Sequence, residues 1–180
     1  MSDPRWSDVD ADINDALMHL GMALKIFRAG GFQDPDVEGY KSTGSFMHGM
    51  AAGYTSLENA IKRILDILDE TPPAGTDRWH KDLIDRISRP MAGGNARPAL
   101  VDEEMKQDLL ECMRMRHRVR HSDYGEFVPS KAEPAVEAAG RITARVRDVV
   151  ARFKRAVDPE PDEDNDGGDG AGGGAAGGPA

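Results

Sequence analysis

The chain has 180 residues, a formal net charge of -9, 39% hydrophobic and 31% charged residues. That length allows one domain with a sizeable core, and no apolar run approaches the ~20 residues that span a bilayer, so we expect no membrane partner. The N-terminus lacks the apolar region of a secretory signal. The single cysteine, Cys112, cannot form an intrachain disulfide, so a cytoplasmic setting is expected.

In the first predicted helix, apolar residues recur from Val9 to Phe27 at three- and four-residue steps. Ser7 and Asp10 resemble a capping box, so we place the start at Ser7. Gly30-Gly31 marks the end, as glycine often does past the last helical turn. Asp34-Pro35 predicts a second start or a turn that leads to one.

A second long helix is predicted over residues 42–70, and Pro72-Pro73 ends it. Its apolar positions again follow helical spacing from Phe46 to Leu68. Three glycines interrupt this pattern, each at a cost of ~1 kcal/mol relative to alanine. They indicate places where another helix packs closely: Gly44, Gly49 and Gly53.

The second half predicts a short helix at about 77–89, a loop at 90–99 and two further long helices. Asp102 is a suitable N-cap for the first of these long helices. Ser130-Lys-Ala-Glu133 has the form of a capping box for the last helix, which continues to Val157. The sum is an all-α antiparallel bundle of four long helices plus a short one, over residues 1–157. Residues 158–180 are rich in Asp, Glu, Gly and Pro and predict a disordered acidic tail.

The segment Arg114–Tyr124 is basic within this acidic protein. Residues 1–113 carry a net charge of -8, residues 114–157 carry +6 and the tail carries -7. Helical spacing pairs Arg116 with Arg120 and His117 with His121. No acid stands between Glu111 and Asp123 in the sequence to neutralise the arginines, so an external phosphate is a suitable partner. The simpler interpretation is a solvated helix end, where the dipole favours each cation by ~0.3–1 kcal/mol.

Histidine beside arginine provides the minimum chemistry for metal-free cleavage of RNA. A histidine base removes the 2′-OH proton, and a guanidinium stabilises the charge that develops on the phosphate. Two copies of one histidine, brought together by a two-fold axis, could serve as base and acid. The rival is a metal site at His117-x-x-x-His121. The intervening Arg-Val-Arg opposes a divalent cation, and beyond Asp123 no third ligand is evident, so we expect no metal and no cofactor.

The basic segment resembles the HEPN superfamily. Arg116-His-Arg-Val-Arg-His121 matches its R-x4-H motif, with a polar residue after the arginine, and is closest to the HepT-like toxin branch, whose pattern is R-x4-H-x-Y. The similarity extends over most of residues 40–155. It includes three further motifs: Tyr54-x-x-x-Glu58, Trp79-His80-Lys81 and Arg97-Pro98.

This resemblance implies a helical bundle that dimerises to form a basic cleft, and a metal-independent endoribonuclease. It also implies a toxin neutralised by a nucleotidyltransferase antitoxin. Arg116 would bind the scissile phosphate, His121 would be the general acid/base and His117 would orient the pair, with Arg120 and Asp123 in support. Tyr124 would correspond to the tyrosine that the partner modifies with AMP in some members. Here two residues, not one, separate it from His121.

A non-catalytic module that holds RNA, a nucleotide or a protein on the same basic surface is the alternative function. It predicts a steep salt dependence of binding and no change in the RNA. The remaining candidates have simpler interpretations: we expect His19, His48 and His80 to be structural or surface residues, and Cys112 to be a buried core residue.

Overall fold

The computed structural model describes residues 3–32, 36–75, 78–94, 96–121 and 127–159. Within these residues there are five helices and no strand, so the prediction of an all-α fold is confirmed. Four helices are long and one is short, as expected. They are α1 (Trp6–Ala29), α2 (Val37–Ile67), α3 (Trp79–Ile87), α4 (Glu103–His121) and α5 (Pro129–Val157).

Helix α1 begins one residue before Ser7, and the predicted capping box is wrong. Arg5 takes the N-cap position without a side-chain hydrogen bond, and the Ser7 hydroxyl donates to the Pro4 carbonyl at 2.8 Å. Trp6 is buried instead, and its indole N–H donates to the Asp158 carboxylate at 2.9 Å. The start of α1 therefore contacts the end of α5.

Helices α1 and α2 form the most extensive helix pair, and two glycines of α2 make their close approach possible. A Cβ added at Gly53 would lie 2.6 Å from Leu20 Cγ, and one at Gly49 would lie 3.0 Å from Ala23 Cβ. Because the higher-numbered glycine meets the lower-numbered residue, the two helices are antiparallel. The prediction of close packing is confirmed at these two positions.

Helix α2 begins five residues earlier than predicted. The Asp36 carboxylate caps it by accepting from the Gly39 N–H at 2.9 Å. Val37 and Tyr40 in the first turn are exposed, which explains why apolar periodicity missed this part of the helix. The predicted start at Asp34-Pro35 lies outside the described residues.

A buried ion pair joins the end of α2 to the loop before α4. Arg97, 1% exposed, donates to the Glu70 carboxylate at 2.5 Å, and Arg86 of α3 donates to its other oxygen at 2.8 Å. Burial alone would raise the pKa of Glu70, but the hydrogen bonds from Arg97 and Arg86 lower it overall. Asp102 then caps α4 by accepting from the Met105 N–H, as predicted.

Helix α5 packs along α4, and its start also differs from the prediction. Pro129 occupies the first helical position, where a missing N–H is tolerated. Ser130 therefore lies inside the helix, and no side chain caps it. The predicted apolar positions are buried or partly buried in one core shared with α1, α2 and α4: Val136, Ala139, Ile142, Val146, Val149, Phe153 and Val157.

No helix among the described residues combines the length and apolar character needed to cross a bilayer. The predicted disordered tail lies almost wholly outside the described part of the chain, which ends at residue 159.

Candidate functional site

The arginines of the basic segment, Arg114–Tyr124, are not equivalent. Arg114 and Arg118 are exposed, and Arg114 pairs with Glu111 one turn earlier. The side chain of Arg116, in contrast, is 11% exposed and points into the junction of α2, α3 and α4. The expectation of a solvated cluster at an exposed helix end is therefore wrong for Arg116.

Helix α2 provides the acid that the local sequence lacks. The Arg116 guanidinium lies 3.9 Å from a carboxylate oxygen of Glu58, whose side chain is 3% exposed. Its Nε–H donates to the Thr55 hydroxyl at 3.3 Å, and its Cζ lies 5.9 Å from the centre of the Tyr54 ring. The carboxylate of Glu58 on another helix is thus a partner for Arg116 that the local sequence did not reveal.

Helix α3 contributes His80 to the same cluster. Its Nε2 lies 3.1 Å from Arg116 Nη1, and its Nδ1 contacts the Glu58 carboxylate. The ring stacks on Trp79 with centroids 3.8 Å apart, and Lys62 Nζ lies 4.5 Å from the centre of the Trp79 ring. His80 packs on Trp79 of a short helix, as expected, and it also lies beside Arg116, which the sequence did not predict.

We refer to Thr55, Glu58, His80 and Arg116 as the arginine cluster. Of these four residues, the sequence analysis named only Arg116 as a catalytic candidate. Glu58 and His80 carried a signal, since Tyr54-x-x-x-Glu58 and Trp79-His80-Lys81 belong to the motifs of the resemblance, whereas Thr55 carried none. What could not be read from sequence was that the two motifs meet at one guanidinium.

The other predicted site residues are only partly described. Arg120 and His121 lie in the last turn of α4, but their side chains are outside the described residues, as are Asp123 and Tyr124. His117 is exposed on the same helix. The proposed pairings of Arg116 with Arg120 and of His117 with His121 therefore stay predictions.

Two buried groups near the arginine cluster are poorly suited to ionise. Burial raises the pKa of the Cys112 thiol to about 12, and the negative charges of Asp108 and Glu111 add to the effect. Burial likewise raises the pKa of the Tyr54 phenol, with a further contribution from the charge of Glu58. The expectation that Cys112 is a buried core residue is confirmed, since it is 1% exposed.

Metal-binding residues do not converge within the described part of the chain. No group of three or more His, Cys, Asp or Glu side chains is close enough there to hold an ion. At the arginine cluster itself, Glu58 and His80 are two potential ligands, but the guanidinium of Arg116 lies against both. A cation at that position would face an adjacent positive charge.

Two arginines of α5 are partly neutralised by acidic side chains of α4 and of the residue that precedes it. Arg141 contacts the buried carboxylate of Asp108 at 2.7 Å, and Arg145 contacts Asp102 at 2.5 Å and Glu104 at 2.7 Å. These pairs tie α5 to α4 and to Asp102, which caps α4.

Comparison with known proteins identifies a family for most of this chain. A family model described as HepT-like protein matches residues 45–157, which include α3, α4, α5 and most of α2, and with them every member of the arginine cluster. No curated protein and no solved structure matches the chain. The matched region covers more than half of the sequence, and the chain therefore belongs to the HepT-like family.

Proposed function

We propose that this protein is a metal-independent endoribonuclease of the HEPN type, in which Arg116 binds the scissile phosphate and His121 transfers protons. The observation that carries the proposal is that the Arg116 side chain is largely buried and held in place by other helices. It belongs to a HepT-like chain, and a buried carboxylate and a histidine hold its guanidinium at a junction of three helices. A fixed guanidinium stabilises charge on a phosphate better than a mobile one, because its orientation is set before the reaction.

The chemistry needs only protein groups. A histidine takes the proton of the ribose 2′-OH, the 2′-oxygen attacks phosphorus, and the bond from phosphorus to the 5′-oxygen breaks. A second histidine donates the proton that the departing 5′-oxygen needs. The products are a 2′,3′-cyclic phosphate and a 5′-hydroxyl, and the negative charge that grows on the phosphate in between is held by Arg116.

A homodimer would provide the two proton-transfer groups. His121 lies in the last turn of α4, and two copies related by a two-fold axis could bring both histidines to one phosphate. His117, exposed on the same helix, would orient the pair, with Arg120 and Asp123 in support. A nucleotidyltransferase antitoxin that modifies Tyr124 is part of the same proposal, as a partner of the toxin.

The test is incubation of the purified protein with RNA in excess chelator, followed by analysis of the product ends. We expect cleavage with cyclic phosphate ends, and loss of cleavage in His121→Ala. His48→Ala is the matched control, because His48 is an exposed histidine on another helix. Cleavage that requires a metal, or that survives His121→Ala, would refute the mechanism.

The second candidate is a non-catalytic module that binds RNA, a nucleotide or a protein. The contacts of Arg116 with Glu58, His80 and Thr55 also favour this candidate, because an arginine held by its own chain can have a purely structural role. Binding would then rely on exposed cations such as Arg114 and Arg118. Such a module predicts intact RNA after incubation and a binding constant that falls steeply with salt.

A further inference from the structure

The hydrogen-bond donors of Arg116 meet two acceptors on other helices. Its Nε–H donates to Thr55 Oγ1 at 3.3 Å, and Nη1 lies 3.1 Å from His80 Nε2. The third nitrogen, Nη2, lies 3.9 Å from Glu58, an ion-pair distance longer than a hydrogen bond. The guanidinium plane is therefore fixed from two sides, by α2 and by α3.

The chemistry of the donors sets the protonation of His80. A guanidinium can only donate, so His80 Nε2 must accept, and the ring proton is then on Nδ1. From Nδ1 it is donated to the carboxylate of Glu58. The result is a directed chain from Arg116 through His80 to Glu58, in which the carboxylate holds the imidazole in one tautomer and one orientation. Carboxylate–imidazole pairs elsewhere act on a third group in this way.

This arrangement leaves donors for a ligand. A guanidinium has five N–H groups, and the hydrogen bonds to Thr55 and His80 use one on Nε and one on Nη1. Within the described residues, no hydrogen bond of Arg116 uses the other N–H groups of Nη1 and Nη2, and the side chain keeps 11% of its surface exposed. Two N–H groups on neighbouring nitrogens match the spacing of two phosphate oxygens.

We propose that His80, Glu58 and Thr55 are positioning residues that hold Arg116 ready for a phosphodiester. His80 is a positioning residue and not an acid/base group. Both of its ring nitrogens are engaged, and acting as a base would require it to release Arg116. The inference rests on the proposed ribonuclease function, and it identifies the groups on which that function depends outside the R-x4-H motif.

The test compares two substitutions of one residue. A glutamine amide can donate to Glu58 and accept from Arg116, yet it cannot transfer a proton near neutral pH. His80→Ala removes both contacts. We expect His80→Ala to lower kcat by about 10- to 100-fold, because small misplacements of a reacting group have effects of this size. His80→Gln should recover most of that loss, and the pH–rate profile should keep its shape in both variants.

Two outcomes would overturn the assignment. If His80→Gln is as inactive as His80→Ala and one limb of the pH–rate profile disappears, His80 transfers a proton. If His80→Ala keeps the wild-type kcat and KM, His80 has no role at the site. His48→Ala is the matched control, because His48 is another histidine at the surface of α2, in edge-to-face contact with His19.

A second readout does not depend on cleavage. In ¹⁵N NMR, the Nε–Hε signal of Arg116, identified by its disappearance in Arg116→Lys, should be protected from exchange in the wild type. Protection should fall in His80→Ala and in Thr55→Val, and should persist in His80→Gln. If the wild type leaves RNA intact but this pattern holds, the ribonuclease proposal fails while the positioning assignment stands. An identical signal in wild type and His80→Ala would overturn the positioning assignment itself.

Discussion

Removing Arg116 should destabilise the protein as well as inactivate it, because the buried carboxylate of Glu58 would lose the positive charge beside it. The side chains of Arg116 and Glu58 are 11% and 3% exposed. Removal of one partner of a buried pair typically costs about 3–5 kcal/mol, since the other charge is left buried. His80 still contacts the Glu58 carboxylate, so we expect about 2–3 kcal/mol for Arg116→Ala. For a chain of this size that corresponds to a fall in Tm of roughly 5–10 °C.

The assay is a double-mutant cycle in which urea and thermal unfolding are followed by circular dichroism. The four proteins are the wild type, Arg116→Ala, Glu58→Gln and the double variant. Because Glu58→Gln removes the stranded charge, the double variant should be more stable than Arg116→Ala alone. Arg118→Ala, an exposed control on the same helix, should change stability by less than about 0.5 kcal/mol. Additive effects, with a coupling energy below about 0.5 kcal/mol, would refute the reasoning.

Three further predictions concern the framework. In urea unfolding, Gly53→Ala should destabilise the protein by about 1–3 kcal/mol, because the added methyl group would clash with α1. Gly140→Ala, whose added methyl group would have nothing within 4 Å, should stabilise it by up to about 1 kcal/mol. Equal effects of the two substitutions would contradict the close approach of α1 and α2. Cys112 should resist a thiol reagent at pH 8 until the protein is unfolded, and rapid labelling of the native protein would contradict its raised pKa. The Glu70 carboxyl has a lowered pKa in the folded state. Its contribution to folding stability is therefore complete above the ordinary pKa of a glutamate, and it is lost as the pH falls through the lowered pKa of the folded state. Urea unfolding of Glu70→Gln should therefore show lower stability at pH 7 and a weaker decline from about pH 5 to about pH 3 than the wild type, and parallel declines would exclude this role.

Most of the helices could be predicted because their signal is local. Apolar residues at three- and four-residue steps identify the buried face of α1 from Val9 onward, and Gly30 ends that helix with a φ of 75°. The caps were harder to predict. Ser7 and Ser130 have the right side chains for an N-cap, but the chain before each is already helical, so neither occupies that position. The residue at which the helix begins is decided by the conformation of the preceding backbone, and the cap motif does not contain that information.

The candidate site divides in the same way. Arg116 could be found from sequence because its motif is contained in six residues. His80 and Thr55 lie 36 and 61 positions away from it, and only the packing of α2 and α3 against α4 brings them together. The absence of a nearby acid in the sequence led to the expectation of an external anion. The acid exists, but it is Glu58 on another helix.

The positions of the two tryptophans give the protein a built-in optical probe. Trp6 is buried where α1 meets the end of α5, whereas Trp79 stacks on His80 at the arginine cluster. In Trp6→Phe, all indole fluorescence would come from the ring in contact with His80. Emission of that variant would then report directly on any oligonucleotide that reaches Arg116, without an added label. In Trp79→Phe, emission would follow only the contact between the start of α1 and the end of α5.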